Sequence, residues 1–428
     1  MSKRPLKVLS VCTSLGGGAG RAAYRIHQGV RSLGVDSRML LKNGRSHDPS
    51  ILTLDEFVPN NPFYTAFDWT RNKCKNKIQH FRWNRYPDRD HVFMSDLRGT
   101  DLHGALHKLD YDVLHLHWIN QRFVHVKDLP KDKPIVWTLH DSWPFCGICH
   151  YFFGCEHYKQ QCGSCPFLHS NDAKDLSHQI WKKKADVFKD LDLHIVSPSQ
   201  WLAACAKQST LLGRFPVTVI PNCLDVEAFR PLNEEEISPR WLGLQEIGKK
   251  KPLLLFGAVN AAQDKIKGFS YLISALKHLE QQGHKDDFEL VVFGAKESEL
   301  SMDVGIPIHY VGYVGNTSEL VSLYNLASVM VVPSLTENLS CAIMESLSCG
   351  TPVVAFNIGG NGDMIEHKTN GYLAKEKEDA DLARGILWCL HNNQDNRLGV
   401  AGREKVLRKY TFETVCGKYK EMYEGVVK

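Results

Sequence analysis

The chain has 428 residues, and at about 150 residues per domain that length implies two or three domains. It is 43% hydrophobic and 23% charged, a globular balance that excludes disorder as the main state. A net charge of +4, from 52 basic and 48 acidic residues, is too weak for a dedicated nucleic-acid binder.

The N-terminus, MSKRPLKVLSVCTSLGGG, is basic, but its apolar run is short and breaks into glycines. It reads as a first strand and not as a signal peptide. Short, mostly β-branched runs predict strands over 7–12, 35–41, 113–117, 135–139, 194–196 and 217–220. A second set follows over 253–257, 288–294, 309–311, 329–333 and 353–356. Helical patterns such as 21–33 and 270–281 lie between them. Alternating β and α implies parallel sheets with right-handed crossovers. The polar stretch 224–251, with Pro231, Pro239 and Gly248, separates the two strand sets. The fold class expected is therefore α/β, with two doubly wound domains facing a cleft. Ligands bind such domains beyond the carboxyl ends of the strands. The expected domains are 1–222 and 223–408, followed by a C-terminal helix over 409–428 free to return to the first domain. No run of about 18 apolar residues occurs, so no membrane span is expected. The 13 cysteines favour a reducing, cytoplasmic setting with free thiols or a metal site over a disulfide framework.

The most informative segment runs from Val331 to Glu345. A strand ends at Pro333, a loop carries Glu337, and a helix starting near Leu339 and Ser340 carries Glu345. A carboxylate accepts hydrogen bonds from two vicinal hydroxyls. A helix N-terminus between two such carboxylates suits a phosphate. Diol, diphosphate and diol in series describe a nucleotide sugar. A capped helix with one surface and one part-buried glutamate explains the spacing equally well.

Glu337-x7-Glu345 followed by Ser-Cys-Gly-Thr-Pro-Val-Val resembles the donor-site signature of retaining glycosyltransferases of the GT4 type, which have the GT-B fold. Leu114-His-Leu-His117, Trp137-Thr-Leu-His-Asp141, Ser197-Pro-Ser199, Ile220-Pro-Asn222, Lys267-Gly-Phe269 and Gly359-Gly360 follow in the family's order. The chain looks most like the branch that builds bacterial surface polysaccharides, lipopolysaccharide among them. The resemblance implies that Glu345 holds the ribose hydroxyls and that Glu337 contacts the transferred sugar. It implies a sugar contact for His140, at a strand's carboxyl end, and backbone approach to the donor at Gly359 and Gly360; a packed or capping histidine and a plain turn are the alternatives. Lys267 opens a helix, where its ammonium neutralises a leaving diphosphate. The arginine that usually precedes this lysine is missing from 258–265, leaving Lys265 as its substitute and a second donor contact. A solvated helix start explains both lysines as well. Gly17 and Gly18, in the Gly16–Gly20 run, supply bare amides for a phosphate or sugar; an ordinary βα turn is the alternative. His115 and His117 face the same way on their strand and read as cleft wall or core.

Five cysteines fall within 146–165, with CxxC pairs at Cys146/Cys149 and Cys162/Cys165. Paired CxxC units can supply four thiolates to a structural zinc. The family resemblance selects Cys149, Cys155, Cys162 and Cys165; a loop of free thiols or a redox pair is the alternative. No metal or other cofactor is expected for catalysis. The segment 71–92 is basic, with interleaved aromatics at Phe81, Trp83 and Tyr86. It suits contact with an anionic membrane surface at the inner face, or else a solvated insertion.

These readings converge on a retaining glycosyltransferase that moves a sugar from a nucleotide-sugar donor to a glycan acceptor, lipid-linked, in surface polysaccharide biosynthesis. The rivals are a nucleotide-sugar epimerase and a non-catalytic, zinc-stabilised scaffold. Nucleic acid is not expected as a partner.

Overall fold

The computed structural model describes residues 4–427 except 43, 45, 58–81, 91–93, 96, 98, 101, 258–264, 299, 301 and 302, with the side chains of His103 and Lys265 also excepted. The chain divides into two compact units, 1–220 with 416–428, and 221–415.

The first unit opens with β1 (Lys7–Cys12), α1 (Gly17–Ser32), β2 (Asp36–Leu41) and β3 (Ile51–Thr53). After α2 (His103–Lys108) come β4 (Val113–Leu116), β5 (Ile135–Thr138), α3 (Leu176–Phe188), β6 (Leu193–Ser197), α4 (Gln200–Gln208) and β7 (Val217–Val219). All seven strands are parallel, in the order β3-β2-β1-β4-β5-β6-β7. The order reverses between β1 and β4, where Ser10 is paired with His115. A doubly wound sheet opens a crevice for ligand at such a reversal. Burial of all four residues of β4 and of β5 explains their lack of apolar/polar alternation.

The second unit carries α5 (Leu242–Gly248), β8 (Leu253–Gly257), α6 (Phe269–Gln281), β9 (Glu289–Phe293) and β10 (Ile308–Gly312). It continues with α7 (Thr317–Leu326), β11 (Val329–Val332), α8 (Cys341–Ser348), β12 (Val353–Phe356), α9 (Asn361–Met364) and β13 (Gly371–Ala374). Then come α10 (Asp379–Asn392), α11 (Arg397–Lys409) and α12 (Phe412–Val426), whose last part belongs to the first unit. The sheet order is β10-β9-β8-β11-β12-β13, again all parallel, with the reversal between β8 and β11. Side chains alternate across the strand, so Leu254 and Phe256 enter one core while Leu253 and Leu255 enter the other.

Three local expectations need correction. The stretch 224–251 is not merely a polar connector, because Leu224, Phe229, Ile237, Trp241 and Leu244 are buried in the second unit's core. Strands β3 and β13 were not anticipated; each is only three or four residues long. Helix α1 begins at Gly17, not at Arg21, with Gly16 as its N-cap. Gly17 takes a positive φ of 72°, and a Cβ on Gly20 would lie 2.3 Å from the Ser14 carbonyl oxygen. Both positions therefore demand glycine for backbone reasons.

Residues 71–81 and 91–92 of the basic segment lie outside the described residues. Between them, Arg82 donates to Gln179 Oε1 at 2.9 Å, and Arg89 donates to the Tyr86 carbonyl at 2.8 Å. Trp83 and Tyr86 pack on the first unit's core, so 82–90 is not a loose solvated insertion. No helix among the described residues is long and apolar enough to cross a membrane.

Candidate functional site

In the second unit the two strands flanking the reversal deliver the key side chains. Lys267 follows β8 and Glu337 follows β11. Leu335 N–H donates to the Ile266 carbonyl at 2.8 Å, tying the two loops together. Gly268, with φ 67°, lets this approach happen, since a Cβ there would sit 1.7 Å from the Pro333 oxygen. The Lys267 ammonium lies 3.2 Å from Glu337 Oε1. The Gly360 N–H donates to the Glu337 carbonyl at 3.2 Å, and a Cβ on Gly359 (φ 50°) would fall 1.8 Å from that oxygen. The glycine pair thus permits β12's loop to hold the backbone of Glu337.

Glu345 lies on α8 and is 2% exposed, more deeply buried than a surface or part-buried glutamate. A buried carboxylate needs donors, and Tyr324 on α7 donates its hydroxyl to Oε2 at 3.2 Å. Leu339 and Ser340 are buried just before α8, and Ser340 is its N-cap without a side-chain cap hydrogen bond. The Lys265 side chain and all of 258–264 lie outside the described residues.

In the first unit, His140 lies two residues past β5 and is paired with His117, one residue past β4: Nδ1 of His117 lies 3.1 Å from Nε2 of His140. Burial pushes the His140 imidazole down to about 4, with Asp141 opposing the shift only in part. Burial likewise holds His115 down to about 3 and His117 well below its ordinary value. All three rings are neutral at pH 7. Asp141 accepts from Trp118 Nε1 at 2.8 Å and from Trp143 N–H at 2.9 Å, and its Oδ2 lies 2.6 Å from His150 Nδ1. Burial works to raise the Asp141 carboxyl, but His150 and these donors outweigh it and keep it below the usual carboxylate range. His115 is core, as its spacing suggested. It sits 2.8 Å from Thr138 Oγ1 and 2.7 Å from the Tyr423 hydroxyl of α12.

The cysteine loop gathers Cys146, Cys149, Cys155, Cys162 and Cys165 with His157 around one small cavity of about 20 Å³. Among the described residues, however, no three Cys, His, Asp or Glu side chains are arranged to hold a metal ion. The four cysteines of the expected set, Cys149, Cys155, Cys162 and Cys165, all line that cavity. What fixes the loop is Lys184 of α3, fully buried. It donates to the carbonyls of Trp143, Cys146 and Gly147 and stands 3.5 Å over the Trp143 ring. Burial pushes its ammonium down to about 7. Three carbonyl acceptors nonetheless use all three of its N–H groups. Lys184→Met strands those carbonyls at about 1–3 kcal/mol each, partly offset by no longer burying a charge. The expected net loss is about 3 kcal/mol in the first unit. Denaturant unfolding followed by tryptophan fluorescence checks it, and an unchanged midpoint removes Lys184 as the loop's anchor.

Sequence reasoning singled out His140, Glu337 and Lys267 but missed Tyr324 behind Glu345 and the coupling of His117 to His140. Both partners come from a different element, and no local spacing signals them.

Two family models together span most of the chain: Glycosyltransferase Family 4 over residues 16–228 and Glycosyl transferases group 1 over 242–405. The putative colanic acid biosynthesis glycosyl transferase WcaC of Escherichia coli K12 is 26% identical over 388 residues, covering 86% of this chain and 87% of that one. An Escherichia coli UDP-Gal:alpha-D-GlcNAc-diphosphoundecaprenol alpha-1,3-galactosyltransferase is 23% identical over 49% of this chain and 54% of its own. HepE of Anabaena, solved in complex with UDP-glucose, matches in fold with a TM-score of 0.63 at 15% identity, over 98% of this chain and 100% of that one. With both halves matched in order and both sheets of the GT-B type, the chain belongs to the GT4 family of glycosyltransferases.

Proposed function

We propose that this glycosyltransferase works with retention of configuration, taking a sugar from a nucleotide-sugar donor to a lipid-linked glycan acceptor in surface polysaccharide synthesis. The observation that carries the reading is the Lys267–Glu337 pair, 3.2 Å apart at the strand-order reversal of the second sheet. It puts a fixed cation and a fixed hydroxyl acceptor where a doubly wound domain receives ligand. The named substrates of the galactosyltransferase relative, a UDP-sugar and a diphosphoundecaprenol-linked acceptor, support the donor and acceptor classes.

Each group then has a task. The Glu345 carboxylate accepts from the ribose hydroxyls, and Glu337 accepts from hydroxyls of the sugar being moved. The Lys267 ammonium offsets charge as the diphosphate departs. No side chain is assigned as nucleophile. The acceptor hydroxyl attacks from the face the diphosphate leaves, and the departing phosphate oxygen takes its proton. Gly17 and Gly18 offer backbone amides to donor or acceptor, and His140 contacts the sugar. Exclusion of water matters because hydrolysis competes with transfer. Contact of 71–92 with anionic lipid would bring the enzyme to a lipid-linked acceptor.

The test is a calorimetric binding screen against nucleotide sugars, then incubation of the bound donor with and without an undecaprenyl-diphosphate-linked glycan. Transfer with the donor's anomeric configuration kept in the product, read by NMR, is the expected result. Conversion of donor alone would indicate an epimerase, absence of turnover with every donor a scaffold, and an inverted product an inverting enzyme.

A further inference from the structure

What His140 can do to a sugar depends on which ring nitrogen carries its proton. A neutral imidazole has one N–H and one lone pair. His117 Nδ1 and His140 Nε2 are 3.1 Å apart, so one proton lies between them. His117 is 2% exposed, and its other nitrogen, Nε2, is buried with no hydrogen-bond partner among the described residues. Two arrangements are open. If His117 carries its proton on Nε2, a buried N–H is stranded and His140 donates from Nε2. If His117 carries it on Nδ1, only a lone pair is stranded, and His140 accepts at Nε2 and bears its own proton on Nδ1. Stranded buried N–H groups are rarer in folded proteins than under-used acceptors.

The surroundings fix the His117 ring in place. The His115 ring lies 4.0 Å away on one side and the His140 ring 5.4 Å away, between centroids. His115 is itself held by Thr138 and Tyr423, and Thr138 lies 3.0 Å from the Tyr419 hydroxyl. The last helix therefore braces the row of rings. His140 is only part-buried, and no other described side chain hydrogen-bonds to its Nδ1.

From this geometry we infer that His117 is a positioning residue that locks His140 in the Nδ1–H tautomer, so that His140 meets its ligand as a hydrogen-bond donor and not as a base. The inference deepens the proposed function and rests on its placement of His140 at the sugar. A donor at this point binds a sugar oxygen and leaves the acceptor's proton to the departing phosphate. It also opposes the intrinsic preference of a free imidazole, which favours the proton on Nε2, so a specific partner is required.

The full-length protein labelled with ¹⁵N-histidine gives the decisive measurement. Long-range ¹H–¹⁵N correlation, with His140 assigned through His140→Gln, is expected to show a protonated Nδ1 and a bare Nε2 at pH 7. A protonated Nε2 on His140 overturns the inference. His117→Phe keeps an aromatic ring but removes the donor, and His140 is then expected to switch to the Nε2–H form. With a working donor and acceptor, kcat falls about tenfold while the donor KM changes little. His117→Asn, whose amide can donate from nearly the same place, is expected to restore the Nδ1–H form and most of the rate. His140 staying in the Nδ1–H form in His117→Phe would also overturn it. If the tautomer is as stated but His140→Gln transfers sugar at the parent rate, the lock stands and the placement of His140 at the sugar fails.

Discussion

Lys267→Ala is expected to lower the single-turnover rate of sugar transfer by about a hundredfold or more, the scale of removing one preorganised stabiliser of developing charge. That is about 2.7 kcal/mol of transition-state free energy. The backbone carrying the ammonium is held in place: Gly268 packs against Pro333 just past β11, and Leu335 N–H bonds the Ile266 carbonyl. Glu337 stands 3.2 Å from Lys267 and partly balances its charge. A diphosphate adds to that balance when bound and demands most of the cation as the bond to the sugar breaks. Donor affinity should therefore fall less than turnover does. Removing Lys267 also takes a cation from beside Glu337, so the comparison belongs in two backgrounds. The loss in rate should persist when Lys267→Ala is placed on Glu337→Gln, although that background is slower. Equal loss of affinity and rate would mean uniform binding rather than leaving-group stabilisation. Transfer at the parent rate would remove Lys267 from the phosphates.

Much of this arrangement was legible in the sequence, and the unread parts share a cause. Strands 7–12, 253–257 and 353–356 coincide with β1, β8 and β12, because strands buried on both faces leave long apolar runs between turn residues. β3 and β13 lie at sheet edges and span three and four residues, too short for a pattern to register. The 224–251 stretch looked like a connector because its buried residues, such as Phe229 and Trp241, are spaced irregularly among charges. Motif spacing and the family resemblance singled out Lys267 and Glu337 in the second unit and His140 in the first. They gave no sign that Lys267 and Glu337 would be paired, because their 70-residue separation is closed only by the β8/β11 neighbourhood. Nor could they show that Glu345 would be nearly inaccessible, since that burial is set by α7 and Tyr324. The CxxC spacing suggested a metal, and the family resemblance selected the four cysteines. Neither signal could show that an ammonium 38 residues beyond Cys146 holds the loop's carbonyls.

The burial of Glu345 sharpens what its removal should do. Glu345→Gln keeps the shape of the side chain and an oxygen able to accept from the Tyr324 hydroxyl, so the second unit should stay folded. What is lost is charge, and charge-assisted hydrogen bonds are worth about 1.5–3 kcal/mol. Nucleotide affinity should therefore weaken by about 10- to 150-fold. Affinity alone does not say which hydroxyls the carboxylate holds, but a cycle does. If Glu345 grips the ribose, a 2′-deoxynucleotide should bind the parent protein much more weakly than the ribonucleotide. The same deletion should cost much less in Glu345→Gln, because contacting groups are not additive. Isothermal titration of both nucleotides against both proteins gives the four values required. If the deoxy penalty is the same in the parent and the variant, Glu345 does not hold the ribose. The carboxylate would then be a buried structural partner of Tyr324, and the ribose contact should be sought among the neighbours of Leu339 and Ser340.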